Sequence, residues 1–178
     1  MKHGYTLTYQ SISLRPVQIS DLEDLRAWRN NTELTRYLTP IPEISPDQQI
    51  VWFEKQQKIR DSYTFSVTLK SELVGSLSLY DKKNSQAEFG RILIGKPAAQ
   101  GKGIGTFATV LALYFGFNIL HLEKIIAHVF NDNLNGKKAF LKAGFRLIEG
   151  QTAPELNLEI SASQFLDSFS FLSEIEVK

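Results

Sequence analysis

A short glycine-dense segment, Gln100-Gly101-Lys102-Gly103-Ile104-Gly105, lies between a strand-like run at 91–94 and an apolar helix-like run at 107–117. Glycine at alternate positions removes the Cβ atoms that would keep a ligand away from the backbone. The start of the following helix, around Thr106, offers N–H groups without intrahelical partners and a partial positive charge. The segment is therefore predicted to bind an anionic group such as a phosphate, the alternative being a connection that binds nothing.

The glycine spacing excludes the two commonest nucleotide loops. A Walker A loop has four residues between its first glycine and the Gly-Lys pair, followed by Ser or Thr. Here five residues separate Gly95 from Gly101-Lys102, and Gly103 follows the lysine. A dinucleotide fingerprint would place its third glycine at position 106, where this chain has Thr106.

The pattern Gln-x-x-Gly-x-Gly between a strand and a helix resembles the acetyl-CoA pyrophosphate loop of the GCN5-related N-acetyltransferase (GNAT) superfamily. A second similarity is Asn133, eleven residues before Gly144-Phe145. The superfamily uses an Asn at this position to bind the pantetheine of the coenzyme, whereas an Asn at a helix start is also a preferred N-cap. The resemblance is strongest over residues 12–150 of a chain interpreted as one domain, 1–178.

This resemblance implies a mixed α/β fold with a central, mostly antiparallel twisted sheet, splayed central strands and flanking helices. It implies acetyl-CoA as cosubstrate, held by Gln100, Gly101, Lys102, Gly103, Ile104, Gly105, Thr106 and Asn133. Backbone N–H groups of Ile92, Leu93 and Ile94 would bind pantetheine and meet the oxyanion of the reaction. No metal is expected.

Glu88 is the predicted catalytic base. On a regular strand it shares a face with Gly90, Ile92 and Ile94, the row that leads into the glycine segment. An alkyl amine is mostly protonated near neutral pH, so its attack on a thioester requires a proton acceptor. Ala87-Glu88-Phe89-Gly90 resembles the superfamily strand that often carries a Glu with this role. The alternative is a solvent-facing Glu paired with a nearby lysine.

One position departs from the superfamily pattern. Many members have a Tyr seven residues after the Asn, placed to protonate the departing thiolate, and this chain has Phe140 there. Tyr80 or Tyr114 could substitute. A thiolate is a tolerable leaving group, because the unperturbed pKa of a thiol is about 8.5. Phe140 is also the one feature that favours a non-catalytic CoA-binding sensor over an enzyme.

The N-terminal half suggests the acceptor. Trp28-Arg29-Asn30 and the Trp52-Phe53 pair resemble two subgroups: enzymes that acetylate a nucleotide-linked amino sugar, and enzymes that acetylate protein N-termini, including ribosomal ones. Trp28, Arg29 and Asn30 are accordingly predicted to bind the substrate, a small-molecule or peptide amine. The competing interpretation is that the aromatic residues belong to the core and that Arg29 forms a surface ion pair.

Composition limits the other classes of function. Twenty basic and nineteen acidic residues nearly cancel, so neither a nucleic acid nor a membrane surface is an expected partner. Zero cysteines exclude a thiolate nucleophile and are consistent with a cytoplasmic protein. His121 and His128 lack metal-ligand spacing and are interpreted as structural. A homodimer is left open.

The hydrophobic pattern predicts the elements that position these residues. We expect a strand over 7–17, a helix behind Ser20 as N-cap, and a helix from Ser45 to about Lys58. Three antiparallel strands follow, then a strand, loop and helix unit around the glycine segment. The remaining predictions are listed by residue number: strands 64–69, 73–80, 86–94, 124–130, 145–148 and 156–160; helices 103–118 and 134–143; and 169–177, which is compatible with either strand or helix.

Overall fold

One nine-stranded sheet runs through the computed structural model, which describes residues 3–149, 154–169 and 171–178. Its spatial order is β7-β8-β6-β5-β4-β3-β2-β1-β9. Only β5 and β6 pair in parallel within these residues, so the predicted mostly antiparallel sheet is confirmed. The strands are β1 (Leu7–Tyr9), β2 (Ile12–Pro16), β3 (Tyr63–Leu69), β4 (Glu72–Lys83), β5 (Gln86–Ile94), β6 (Lys124–Phe130), β7 (Arg146–Leu147), β8 (Glu155–Ser161) and β9 (Glu176–Val177).

Helices cover both faces of this sheet. Neighbouring strand residues point to opposite faces, and on β3 Ser66 binds Asp21 at the start of the first helix while Phe65 packs on Phe115. The first and third helices therefore lie on one face, and the last three lie on the other. The helices are α1 (Leu22–Asn30), α2 (Thr32–Thr35), α3 (Pro46–Gln56), α4 (Ile104–Tyr114), α5 (Leu134–Lys142) and α6 (Ala162–Ser168).

The main hydrophobic core lies between the sheet and α4, α5 and α6. Most residues of α4 are buried in this core. The helix continues as a π-helical turn, Phe115–Ile119. Phe89 of β5 packs against Phe140 of α5 and Phe145, with ring centroids 5.6 and 6.1 Å apart. This aromatic cluster fixes α5 beside the end of β5, next to the glycine segment.

The N-terminal elements differ from the prediction in two ways. The predicted strand over 7–17 is two strands, because Gln10 turns the chain with φ of +55° and β1 folds back on β2. Ser20 is not the cap of the first helix. The Asp21 carboxylate instead accepts the Gln18 N–H at 2.8 Å and binds Arg15 at 2.6 Å, so a buried side chain from the helix start closes this turn.

Other boundaries follow local chemistry. Ser45 and Gln48 form a reciprocal capping box at the start of α3, which begins where the sequence predicted a helix. Lys70 and Ser71, both with positive φ, make the turn between β3 and β4. The strand over 156–160 is confirmed. Of the segment 169–177, residue 170 lies outside the described residues, and the described part contains a short 3₁₀ turn at Leu172–Glu174 followed by β9. No helix in the described part of the chain is long and apolar enough to span a membrane.

Candidate active site

The glycine segment forms an open backbone cradle at the start of α4. Gly101 and Gly103 have φ of +71° and +78°, and Gly103 is the N-cap residue. A Cβ built on either glycine would meet no atom within 4 Å, so glycine is needed for the backbone conformation rather than for space against the protein. The Gln100 amide donates to the Ile94 carbonyl at 2.9 Å and ties this cradle to the end of β5.

A wedge-shaped gap opens beside the cradle, between β5 and β6. The parallel ladder joins Gln86–Phe89 to Lys124–Ala127 and ends there. Beyond this point β5 stays paired with β4 up to Ile94, while β6 stays paired with β8 up to Phe130. One edge of each strand therefore faces the gap, and an extended ligand bearing amides can bind there as a strand would.

A cleft of about 320 Å³ occupies this wedge. It brings together the predicted positions Ile92, Leu93, Ile94, Gln100 and Asn133. A Cβ on Gly105 would lie 3.7 Å from the Ile94 side chain, so the first turn of α4 packs directly on this strand end. Ile104, the first residue of α4, is buried. The cleft lining also includes Gly90, Arg91, His128, Val129, Phe130, Asn135, Gly136, Phe140 and Glu155, together with Glu33, Leu34, Arg36, Tyr37 and Leu38 from α2 and the residues after it.

A bulge in β5 overturns part of the prediction for Glu88. Ser76 pairs with Leu93 and Ser78 pairs with Gly90, so β5 has one extra residue between these pairs. Arg91 adopts φ of +52° at this bulge. The alternation of faces therefore shifts, and Ile92 and Ile94 turn to the core side that Phe89 occupies. Glu88 keeps the predicted position before the cleft but does not share a face with Ile92 and Ile94.

Glu88 instead lies on a polar face with Tyr80 and Arg91. Tyr80 is its cross-strand partner on β4, and a Cβ on Gly90 would lie 3.1 Å from the Tyr80 hydroxyl. The Arg91 guanidinium stacks 4.0 Å from the centroid of the Tyr80 ring. Burial, and then the charge of Glu88 and a hydrogen bond with it, raises the pKa of Tyr80 to about 12. The phenol therefore stays protonated at neutral pH.

His128, which the sequence interpretation treated as structural, lies at the mouth of the wedge. Its Nε2 is 3.7 Å from Oε2 of Glu88, and its Nδ1 is 2.6 Å from Oδ1 of Asn157 on β8. The histidine follows directly after the last β5–β6 pair, so it lines the cleft rather than the closed sheet. The alternation of residues along β6 predicts that His128 lies on the outer face of the sheet. Its contact with Asn157 could not be predicted, because Asn157 is 29 residues away and no local sequence pattern indicates the contact.

Asn133 and Phe140 occupy the α5 side of the cleft. Asn133 caps α5, because its Oδ1 accepts the Gly136 N–H at 2.9 Å. The predicted capping role is confirmed, and its coenzyme role stays a prediction that this geometry permits. Phe140 is 5% exposed in the aromatic cluster, so the position that carries Tyr in many relatives supplies no hydroxyl here.

The side chains of Trp28, Arg29 and Asn30 each contact the backbone of another segment of the chain. A Cβ on Gly95 would overlap the Trp28 indole, so this ring packs directly on the backbone at the end of β5. Asn30 exchanges two hydrogen bonds with the Ile44 backbone, at 2.9 and 3.0 Å. Arg29 donates to the Thr39 carbonyl at 2.6 Å, and burial together with the charge of Arg91 lowers its pKa. Substrate binding by these three residues stays a prediction.

The described residues contain no group of three or more His, Cys, Asp or Glu side chains that could hold a metal ion. The wedge and cradle instead fit a long anionic ligand. The open backbone at Gly101 and Gly103 suits a pyrophosphate, and the unpaired strand edges suit a pantetheine chain. The fold and site together define a protein of the acyl-CoA-binding α/β class.

Comparison with known proteins identifies the family. Residues 11–146 match the model of the acetyltransferase (GNAT) domain. The spermidine N(1)-acetyltransferase of Escherichia coli is 30% identical over 147 residues, covering 82% of this chain and 77% of that protein. The chain belongs to the GNAT family of acetyltransferases, and it is an acetyl-CoA-dependent N-acyltransferase.

Two further relatives show the range of acceptors. A crystal structure of spermidine N-acetyltransferase from Vibrio cholerae, in complex with CoA and spermine, superimposes with a TM-score of 0.78 at 26% identity. The superposition covers 88% of this chain and 98% of the Vibrio cholerae chain. The human alpha/beta-tubulin-N-acetyltransferase 9 is 26% identical over 152 residues, 77% of this chain and 73% of that protein. The comparisons do not support the amino-sugar and ribosomal subgroups suggested by the Trp-Arg-Asn and Trp-Phe segments.

Proposed function

We propose that this chain acetylates the primary amine of a polyamine such as spermidine by direct attack on acetyl-CoA, with Glu88 as the base. The observation that carries this proposal is the position of Glu88, whose side chain is 36% exposed and contacts the wedge through His128. Glu88 lies just outside the cleft lining, beside Gly90 and His128, so an acceptor amine at this edge of the cleft would meet the carboxylate on the face opposite to α4. Bound acetyl-CoA supplies an activated acetyl group, and the protein supplies the proton acceptor.

The carboxylate is needed because the acceptor arrives as an ammonium ion. Alkyl amines are mostly protonated near pH 7, and only the neutral nitrogen has a lone pair for attack. Glu88 takes one proton from the ammonium, which leaves the nitrogen free to form the amide bond. No cysteine is present in the chain, so an acetylated thiol of the enzyme does not take part.

Tyr80 is the group we propose to assist the leaving thiolate, in place of the hydroxyl that Phe140 lacks. Its hydroxyl lies over Gly90 at the edge of the cleft, where it can donate a hydrogen bond to the departing sulfur. Tyr114, the other tyrosine considered, is the last residue of α4 and packs against the core. Tyr80 is therefore the better placed of the two.

Two carboxylates of the cleft lining support an acceptor with more than one ammonium group, although the same lining also carries two arginines. Glu33 and Glu155 line it from α2 and β8, and neither has an ion-pair partner among the described residues. The two arginines of the lining, Arg36 and Arg91, each stack on a tyrosine ring instead. A polyamine that presents one amine to Glu88 can place another beside a carboxylate, as an ammonium requires.

A second candidate acceptor is the N-terminal amine of a protein. The similarity to the human alpha/beta-tubulin-N-acetyltransferase 9 favours this possibility. The cleft opens between α2 and β8, and a peptide N-terminus could enter there. A nucleotide-linked amino sugar, suggested by the Trp-Arg-Asn segment, belongs in the same set of test substrates.

The decisive experiment measures thiol release from acetyl-CoA with spermidine, an N-terminal peptide, a nucleotide-linked amino sugar and a simple monoamine. We expect spermidine to give the largest kcat/KM. In Glu88→Gln, kcat should fall by about 10²–10⁴ while acetyl-CoA still binds, because general-base catalysis is lost. Glu54→Gln, which changes an exposed carboxylate on α3, is the matched control. Unchanged kcat in Glu88→Gln would refute the base, and a preference for another amine would refute the polyamine.

A further inference from the structure

His128 is held in one orientation by β8. Its Nδ1 lies 2.6 Å from the Asn157 side-chain oxygen, which can only accept a hydrogen bond. Nδ1 therefore carries a proton in this contact. In a neutral imidazole the second nitrogen, Nε2, then has an unshared electron pair. This Nε2 faces Oε2 of Glu88 at 3.7 Å, so two proton-accepting atoms converge at the mouth of the wedge.

Two acceptors in this arrangement can receive one proton between them. With the proton on Nε2, an imidazolium lies beside a carboxylate; with it on Glu88, a carboxylic acid faces an imidazole. Both arrangements are attractive, whereas the deprotonated pair gains nothing from the contact. A separation slightly longer than a direct hydrogen bond also leaves room for an ammonium hydrogen or a water to join the two side chains.

We propose that Glu88 and His128 act as one proton-accepting pair, with His128 as the residue that positions Glu88 and shares the proton it takes. This inference rests on the proposed function. The ammonium N–H bond breaks, its proton goes to the pair, and the freed electron pair attacks the acetyl carbonyl carbon. The carbon–sulfur bond then breaks and the thiolate leaves. A second proton, lost from nitrogen as the amide forms, balances the one that the thiolate takes up.

Charged and titratable groups surround this pair on every strand packed against it. They include a phenol, guanidinium and ammonium groups, and carboxylates. In the order of their elements they are Tyr80 on β4, Arg91 on β5, Lys124 on β6, Arg146 on β7, Glu155 and Glu159 on β8, and Glu33 and Arg36 from α2 and the residue after it.

The test is the pH dependence of kcat/KM for spermidine in His128→Gln, from about pH 5.5 to about pH 9, the range in which an imidazole changes charge. Glutamine keeps a polar group near Glu88 but cannot share the proton. We expect the plateau of kcat/KM to fall about tenfold and the shape of its acid side to change, because Glu88 then accepts the proton without His128. Asn157→Leu, which frees the imidazole, should change the profile in the same direction. His121→Asn, an exposed histidine at positive φ, should change nothing.

A double variant separates proton sharing from a merely structural role. In Glu88→Gln, the further change His128→Gln should have no effect on the residual rate, since both residues serve one proton transfer. A wild-type profile in His128→Gln, with Glu88→Gln inactive, overturns the pair but leaves the proposed function intact. An even loss at all pH values that also lowers the residual rate of Glu88→Gln overturns it too. If no amine is acetylated by the wild-type chain, both proposals fall.

Discussion

The two halves of the proposed active site, one for the coenzyme and one for the acceptor, are built from different chemical groups. The coenzyme half, defined by the glycine segment 100–106, the strand end 92–94 and Asn133, consists largely of backbone groups held in special conformations. The acceptor half, defined by Glu33, Glu88, His128 and Glu155, consists of side chains from four separate elements. A site made of backbone groups suits a ligand that stays the same. A site made of side chains can change its ligand when those residues are substituted. Variants in the two halves should therefore fail in different ways.

The largest expected effect is at the contact between the N-terminal helix and the coenzyme half, where Trp28 packs on Gly95. In Gly95→Ala the added methyl would overlap the half-buried Trp28 indole, so either the ring or the strand end has to shift. We expect a loss of about 1–3 kcal/mol in the free energy of unfolding, as for other overpacked sites. We also expect weaker acetyl-CoA binding, because the shift reaches Ile94. Urea denaturation and the KM for acetyl-CoA measure the two effects.

The matched control removes the ring instead of the space. Trp28→Leu leaves room for the methyl, so Gly95→Ala should cost much less stability in that background than in the wild type. A double-mutant cycle gives the difference directly. Equal losses in both backgrounds would show that Gly95 is required for another reason.

A smaller effect is expected at Asn133, where capping and coenzyme binding can be separated. Asn133→Ala should lose about 1 kcal/mol of stability, because the Gly136 N–H loses its acceptor. Asn133→Asp keeps that acceptor but replaces the amide donor with a negative charge. We expect its melting temperature to stay near that of the wild type while the KM for acetyl-CoA rises about tenfold.

The control for this comparison is another helix cap. Ser45→Ala removes the cap of α3 and should lower stability by a similar amount with no change in the KM for acetyl-CoA. If Asn133→Asp also keeps a wild-type KM, Asn133 is a cap and nothing more. In that case the coenzyme half is built from backbone alone.

The same division explains what the sequence could predict. The coenzyme half depends on short-range features, namely glycines at fixed spacing and an Asn before a helix, and these led to the correct ligand class. Most strands and helices were likewise predicted within a few residues, because period and capping are local signals. The strand at the C-terminal end, β9, could not be predicted from local patterns, because it pairs with β1 at the opposite end of the chain.

The acceptor half depends on contacts that no local pattern contains. The bulge at Arg91 reverses the faces of β5, so strict alternation misplaced Glu88 relative to Ile92. His128 gains its position from Asn157 on another strand. The Trp-Arg-Asn segment suggested a substrate subgroup, yet Trp28 serves packing against Gly95 and Asn30 serves the Ile44 backbone. A motif of side chains in the sequence does not show whether those side chains contact a substrate or the protein itself.

The smallest expected effect tests the acceptor half itself. Glu33→Gln and Glu155→Gln each remove one exposed carboxylate of the cleft, so each should raise the KM for spermidine by about two- to fivefold, as solvent-screened charges do. The KM for acetyl-CoA should stay constant, and so should the KM for a monoamine of similar length, which lacks the second ammonium group. Both differences should shrink at about 1 M salt, where the Debye length is only about 3 Å. An equal rise in the KM for the monoamine would mean that these carboxylates shape the cleft rather than select a polyamine. The N-terminal amine of a peptide would then be the better candidate for the acceptor.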